Sequence, residues 1–326
     1  MDFLTIPFIS VFVLPTLSSY STRINVLFFY MTWTTLVLAH DALRVELFGT
    51  LAARLVFYVL PSLLFYIFDS AAPGTAVIFK ERGEAGLPSG NKRRSPSLSD
   101  LRIAAWSIAN LALSIAVQIG LEALLMKTPR LRPAVKTTIR VPMPWIIAKD
   151  VLLGFLVREV LVYTIHRTII HSSQPLLRPI TTLHRKWHHS LRAPFPLTAH
   201  YDHPLTYLIV VFIPMYVPVF LFHFHMTTFL VYTVLISIEE TFTFSGYYIL
   251  PSMLGGIARR MELHLANGGK SYFGRWGFID LIAGSGRYID DNERAQMRQR
   301  LANLAREDGD TWDEDSRGSG NRRRRN

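Results

Sequence analysis

Residues 163–205 read YTIHRTIIHSSQPLLRPITTLHRKWHHSLRAPFPLTAHYDHPL, and this stretch contains seven of the 11 histidines of the chain. They fall into three groups, at 166 and 171, at 184, 188 and 189, and at 200 and 203. Neutral imidazole binds iron, zinc and copper well, and the chain has no cysteine to offer a softer ligand. The stretch therefore predicts a metal centre; the alternative is a basic surface that faces lipid headgroups.

The spacing of the histidines limits how they can bind. His184 and His188 are four residues apart and share one face of a helix. His166 and His171 are five apart, about 140° around an α-helix, so an unbroken helix cannot point both at one metal. They could instead reach two metals or straddle a helix end. The isolated histidines at 40, 223 and 225 are interpreted as ordinary polar contacts.

Apolar segments lie on both sides of this stretch. Half of the 326 residues are hydrophobic and only 18% are charged. A bilayer span takes about 20 apolar residues, and the candidate segments are 24–40, 49–68, 103–125, 142–165, 205–222 and 227–248. Strand signals are weak, so the sequence predicts an all-α integral membrane bundle of about four spans with a histidine-rich cap. The basic loops conflict if every segment spans, so one segment is expected to lie in the interface.

The net charge of +11 lies largely in tails and loops, such as 92–94 and 322–325. Such charges are typical of the flanks of membrane spans and attract anionic lipid. Nucleic-acid binding is therefore not expected. The absence of cysteine excludes disulfides, thiolate metal ligands and a cysteine nucleophile.

Several segments carry a family resemblance. REVLVYTIHRTIIH (158–171), LHRKWHHSLRAP (183–194) and AHYDHPLTY (199–207) are followed by FSGYYILP (244–251) and HLANGGKSYFGRWGFIDLIAGS (264–285). Over about 140–286 the sequence resembles the fatty acid hydroxylase/sterol desaturase superfamily. The positions that fill its pattern in order are Glu159, Tyr163, His166, Arg167, His171, His184, His188, His189, Pro194, His203 and Pro204.

The resemblance implies an endoplasmic reticulum membrane enzyme whose histidines hold two non-haem irons and face the cytosol. The ligands it implies are His166, His171, His184, His188, His189, His203 and His264, with His200 next. Such an enzyme uses O2, and electrons from NAD(P)H through cytochrome b5 or a reductase. Its expected reaction is hydroxylation or desaturation of a sterol, sphingoid, fatty acyl or related lipid. Glu159 and Asp202 are expected to accept the second N–H of ligand imidazoles.

Three positions depart from the family pattern. Phe244 stands where a histidine usually precedes Ser-Gly-Tyr, and Met261 and Leu265 stand where the last motif, H-x-x-H-H, has histidines. Glu240 lies one helical turn before Phe244, and Glu262 lies beside His264 in sequence. Carboxylates serve di-iron sites well, so both are predicted as substitute ligands.

Two alternatives stay open. Glu239 and Glu240 could instead pair with Arg259 or Arg260 and hold a helix end. The protein could also be a degenerate family member that binds lipid or partners an active enzyme. A metal transporter has less support, because its ligands would lie along the spans near the midplane.

The domain prediction follows from these segments. Residues 1–69 form an N-terminal membrane hairpin, and 70–102 form a polar basic loop. Residues 103–290 form the membrane and histidine-box catalytic domain. Residues 291–326 form a charged, disordered tail.

Overall fold

The computed structural model describes residues 20–88, 97–191, 193–247 and 252–286. Within these ranges the chain is helical and contains no strand, so the prediction of an all-α fold is confirmed. The predicted tail at 291–326 lies outside the described residues.

The α-helices of the described part follow one another with short connections. They are α1 (Tyr20–Ala39), α2 (Ala42–Ala71), α3 (Pro73–Phe79), α4 (Leu98–Lys127), α5 (Pro144–Ile165), α6 (Arg178–Trp187), α7 (Pro204–Phe222), α8 (Met226–Thr243), α9 (Ser252–Ala266) and α10 (Phe278–Ile282). Helices α2 and α7 each include a π-helical turn, Leu55–Val59 and Leu208–Phe212. A third π-helical turn, His166–Ile170, continues α5.

Helices α2, α4 and α7 are long and apolar enough to cross a membrane, and they indicate a multi-pass membrane protein. Helix α1 contains a shorter apolar stretch, Ile24–Ala39. The predicted segments at 142–165 and 227–248 form α5 and α8, which do not join those three candidate spans among the described residues. Both helices carry buried charges, Arg158 and Glu159 on α5 and Glu239 and Glu240 on α8. The structure thus has three candidate spans where the sequence predicted about four.

The membrane helices are apolar outside and polar inside. Large side chains of α2 such as Leu64 and Ile67 are exposed, which is favourable only against lipid. The opposite face of α2 meets α4 through polar groups: Gln118 donates to Glu46 over 2.7 Å. Glu122 accepts the backbone N–H of Ala134 at 3.0 Å, which ties the loop after α4 to the bundle.

Helices α5, α7 and α8 pack around one hydrophobic core. Its fully buried members are Val219, Phe224, Met226, Phe229, Tyr232 and Ile236. At one end of this core Arg158 of α5 forms two 2.9 Å hydrogen bonds with Glu239 of α8. The two helices are therefore held in a defined register just before α5 reaches the histidines.

Part of the predicted polar loop at 70–102 is packed structure. Residues 73–79 are α3, and the Lys80 side chain is fully buried, with its Nζ 2.7 Å from Asp69 Oδ2 and 2.6 Å from the Ser245 carbonyl. A buried ammonium must be paired to be tolerated. Lys80 therefore ties the end of α2 to the end of α8, and here the structure departs from the prediction.

Candidate metal centre

Four histidines converge on one point. His166, His171, His184 and His264 each offer one ring nitrogen, and these atoms all lie within 4.8 Å of one another. They come from the end of α5, the residue after its π-helical turn, α6 and α9. The centre thus joins three helices that are separated along the chain.

The π-helical turn explains how His166 and His171 reach the same centre. The His171 backbone N–H donates to the His166 carbonyl at 3.0 Å, the i to i+5 bond that defines a π-helix. This wider turn brings residues five apart onto nearly one face, and the two ring centres are 4.9 Å apart. The spacing that argued against a shared metal on an α-helix is the spacing a π-helical turn requires.

Second contacts orient three of these rings. The Nδ1 atoms lie 3.1 Å from the Phe273 carbonyl for His166, 2.6 Å from Asp202 Oδ2 for His184, and 2.8 Å from the Ser271 carbonyl for His264. Since carbonyls and carboxylates only accept, each Nδ1 carries the proton and each Nε2 is a lone-pair donor. All three Nε2 atoms are buried without a hydrogen-bond partner. Buried, unpartnered donors aimed at one point fit a metal ion.

The protonation state of the rings also suits metal binding. Burial and the neighbouring imidazoles lower the pKa of His171 to about 2, and burial lowers the pKa of His264 to about 4. The same causes place the pKa values of His166 and His184 well below their usual range. The four rings are therefore neutral at pH 7, which is the form that binds metal.

His189 and His188 lie at the edge of this group. The His189 Nε2 is 3.4 Å from the His171 Nε2, and its ring centre is 5.1 Å from that of His264. His188 stacks on His184 at 4.8 Å and directs its Nδ1 towards the Tyr201 carbonyl at 3.3 Å. His189 is thus a fifth neighbour of the centre, and His188 lines its side.

The structure does not bring His200 and His203 into the four-histidine group. His200 is buried with its Nδ1 3.0 Å from the Tyr207 hydroxyl and its Nε2 3.4 Å from Glu240 Oε2. His203 precedes α7, where its Nδ1 accepts the Leu205 backbone N–H at 3.3 Å and caps the helix. A ring nitrogen engaged in a helix cap is not available to a metal, so the predicted ligand role of His203 has no geometric support.

The predicted substitute carboxylates pair with arginines. Glu240 lies 2.5 Å from Arg54 Nη1, and Glu262 accepts from Arg82 at 3.2 Å. The alternative of pairing with Arg259 or Arg260 also differs from the structure. Glu239 binds Arg158, and Arg54 and Arg82 come from distant parts of the chain that local patterns could not connect.

Glu159 acts on the backbone rather than on an imidazole. Its carboxylate accepts the N–H groups of Arg275, Trp276 and Gly277 at 3.1, 2.9 and 3.2 Å. This differs from the expectation that Glu159 orients a ligand ring, whereas Asp202 makes the imidazole contact expected of it.

Asp280 is a site residue that the sequence reasoning missed. It is buried and accepts the N–H groups of Phe273 and Gly274 at 2.9 and 2.8 Å. With Glu159 it fixes the loop at 271–277, whose Ser271 and Phe273 carbonyls hold two of the four histidines. Its place in the terminal Asp-x-x-x-Gly block was the available signal.

The positions that depart from the family pattern gather in an apolar cluster. Phe244 and Met261 are buried together with Tyr58, Leu111, Ile115 and Ala199, and Leu265 packs against them. The residues present therefore fit one metal ion at the four-histidine group. Among the described residues no second group of this kind is found for the other expected iron.

The isolated histidines behave as ordinary polar groups. His40 is exposed. His223 Nδ1 lies 2.8 Å from the Pro133 carbonyl, and His225 Nε2 lies 3.1 Å from the Thr138 hydroxyl. Both serve to hold the loop after α4.

Comparison with protein-family models matches residues 151–285 to the fatty acid hydroxylase family. No solved structure matches the chain. The matched region begins on α5 and ends after α10, so it contains all four converging histidines and the loop that orients them. Through residues 151–285 the chain belongs to the fatty acid hydroxylase family, within the sterol desaturase/fatty acid hydroxylase superfamily.

Proposed function

We propose that this protein is an O2-dependent, iron-containing enzyme that hydroxylates or desaturates a membrane lipid. The single observation that carries the proposal is the buried group of four neutral histidines with three unpartnered Nε2 atoms. The family match supports a membrane lipid hydroxylase or desaturase in general. Iron as the metal follows from that match and from an all-imidazole ligand set.

The roles of the residues follow from their contacts. His166, His171, His184 and His264 would hold the iron, and His189 would approach it as a further ligand. Iron bound there would supply the activation of O2. Asp202 keeps His184 in the tautomer that presents Nε2, and the loop at 271–277 does the same for His166 and His264.

An apolar cavity between α5 and α8 supports a lipid substrate. It has a volume of about 690 Å³, and its lining includes Val151, Phe155, Leu235 and Ile238. Its end is closed by Trp276, whose indole N–H donates to Glu239 at 3.0 Å. The volume lies in the range of small-molecule sites, and the lining excludes water. An acyl chain or a sterol is the chemistry that this space accepts.

The electron supply and the location belong to the same proposal. We place the protein in the endoplasmic reticulum membrane with the centre on the cytosolic side, supplied from NAD(P)H by a cytochrome b5-type protein or a reductase. Helix α6 carries His184 on its buried face and exposed Arg178, Arg185 and Lys186 on the other. This basic face favours an electron donor with an acidic surface.

A second candidate function is that of a family member without turnover that binds lipid or partners an active enzyme. The observation in its favour is the apolar cluster around Phe244, Met261 and Leu265, which occupies positions where the family has ligands.

The two candidates are separated by comparing cells that make the full chain with cells that make the His184→Ala variant under labelled O2. We expect a lipid that gains one labelled oxygen atom or one double bond, reduced about 100-fold in the variant, since losing a ligand or its support costs at least that much. His203→Ala is the matched control and should keep the product. An iron-loaded wild-type protein that leaves every lipid unchanged contradicts the enzyme and supports the second candidate.

A further inference from the structure

We infer that this chain binds a single metal ion, at the four-histidine group, and that an apolar plug and two arginines occupy the region of the second. The plug consists of Phe244, Met261 and Leu265. The inference rests on the proposed function for the identity of the metal as iron, but the number of ions follows from the geometry alone.

The first step concerns the plug. Phe244 is buried and packs with Met261 and Tyr58 in one hydrophobic cluster. Its ring meets the His188 ring nearly edge-on, with centres 6.0 Å apart. The side of the centre that His188 lines therefore ends on a phenyl ring, which offers no lone pair. The thioether of Met261 is a soft ligand that hard iron does not select.

The second step concerns the nitrogen and oxygen atoms that remain nearby. Both ring nitrogens of His200 are engaged by neighbouring groups, Nδ1 by the Tyr207 hydroxyl at 3.0 Å and Nε2 by Glu240 at 3.4 Å. Glu240 itself is held by Arg54. A metal could recruit this carboxylate only by displacing a buried guanidinium, which would then be left unpaired at a high cost.

The third step concerns charge. The Arg275 guanidinium carbon lies 5.7 Å from the Phe244 ring centre, and its Nη1 is buried without a hydrogen-bond partner. Arg54 places a second fixed positive charge beside Glu240 and His200. Guanidinium groups stay protonated in proteins. A divalent cation in this region would meet two like charges, whereas the four-histidine group carries no charge of its own.

Metal counting tests the inference without depending on activity. The full chain is purified in detergent, stripped with a chelator and titrated with Co²⁺, whose visible absorption reports binding; iron is counted separately by mass spectrometry in protein from iron-grown cells. We expect about one ion per chain in both measurements. His184→Ala should lose it and His203→Ala should keep it. Two ions per wild-type chain, or none in a chain with intact helical circular dichroism, would overturn the inference.

The role of the plug and of Arg275 is tested by adding ligands back. The triple variant F244H/M261H/L265H restores the family's histidines, and a fourth change, Arg275→Gln, removes the nearby charge. We expect about one Co²⁺ per chain in the triple variant and about two in the quadruple variant. Two ions in the triple variant alone would remove Arg275 from the inference. If neither variant folds, the wild-type count still decides the number of ions.

The failure of this inference and the failure of the proposed function give different results. One tightly bound ion without any lipid product keeps the inference and contradicts the enzyme. Two ions with a product contradict the inference and keep the enzyme.

Discussion

Individual residues around the centre hold the rings rather than touch the metal. The carbonyls of Ser271 and Phe273 and the carboxylate of Asp202 each receive an Nδ1 proton, so the opposite Nε2 faces inward. His171 has no such acceptor for its buried Nδ1. Its ring is positioned by packing instead, and Gly269 lies directly against it. His171 is therefore the ligand that is most sensitive to local shape.

Gly269→Ala should displace His171 from the centre. Gly269 has a φ of +78°, and a Cβ there would overlap the His171 ring. Gly268 is the matched control, because it has a φ of +62° with nothing within 4 Å of its Cβ position. Both variants should lose about 1–2 kcal/mol from the left-handed backbone. Only Gly269→Ala should also lose bound metal, measured as ions per chain. Equal metal contents in the two variants would contradict this role.

At the scale of elements, the centre depends on one π-helical turn and one loop. The turn at His166–Ile170 ends α5 with two ligands on one side. The loop at 271–277 is held by the carboxylates of Glu159 and Asp280. Since the loop supplies acceptors for His166 and His264, α5 controls the centre both through its own histidine and through Glu159.

Glu159→Gln should weaken metal binding without removing a ligand. The amide keeps the shape of the side chain but loses the charge, and hydrogen bonds to a charged group contribute about 1.5–3 kcal/mol. We expect the Co²⁺ affinity to fall about 10–100-fold, as for other groups that orient metal ligands. Asp150→Asn is the control, because this residue of the same helix pairs only with neighbouring Lys149. An unchanged affinity in Glu159→Gln would show that the loop keeps its place without the carboxylate.

At the scale of the whole molecule, the metal would join parts of the chain that are far apart in sequence. The ligands lie on α5, α6 and α9, and the matched family region encloses them all. The membrane helices α2 and α4 contribute polar interior faces and apolar outer faces that fix the bundle in lipid. The centre and the bundle are therefore expected to stabilise each other.

Removing the metal should lower the thermal stability of the entire protein. An ion that binds the folded state at 100 times its Kd adds about 2.7 kcal/mol to the free energy of unfolding. We expect a chelator to lower the Tm of the wild-type chain in detergent and to leave that of His184→Ala unchanged. An equal shift in both proteins would mean that the chelator acts elsewhere.

Local patterns were sufficient to predict some features of the site. The clustered histidines and the apolar segments predicted a helical membrane protein with a metal centre, because both signals depend on residue type and short spacing. They could not predict the π-helical turn, because its i to i+5 bond is a small departure from a helix that the same residues could also continue. They also placed His203 among the ligands, although it caps α7.

The sequence by itself determined the helical class, the membrane setting, the family and the set of histidines available to a metal. Only the tertiary structure decided which of them meet, because Arg54, Arg82 and Arg158 engage carboxylates that are distant in sequence and that looked free to bind metal. It also decided that Phe244, Met261 and Leu265 lie in one cluster. The physical reason is that burial forces each charge to find a partner and each apolar side chain to find a neighbour, and these choices depend on contacts between distant segments.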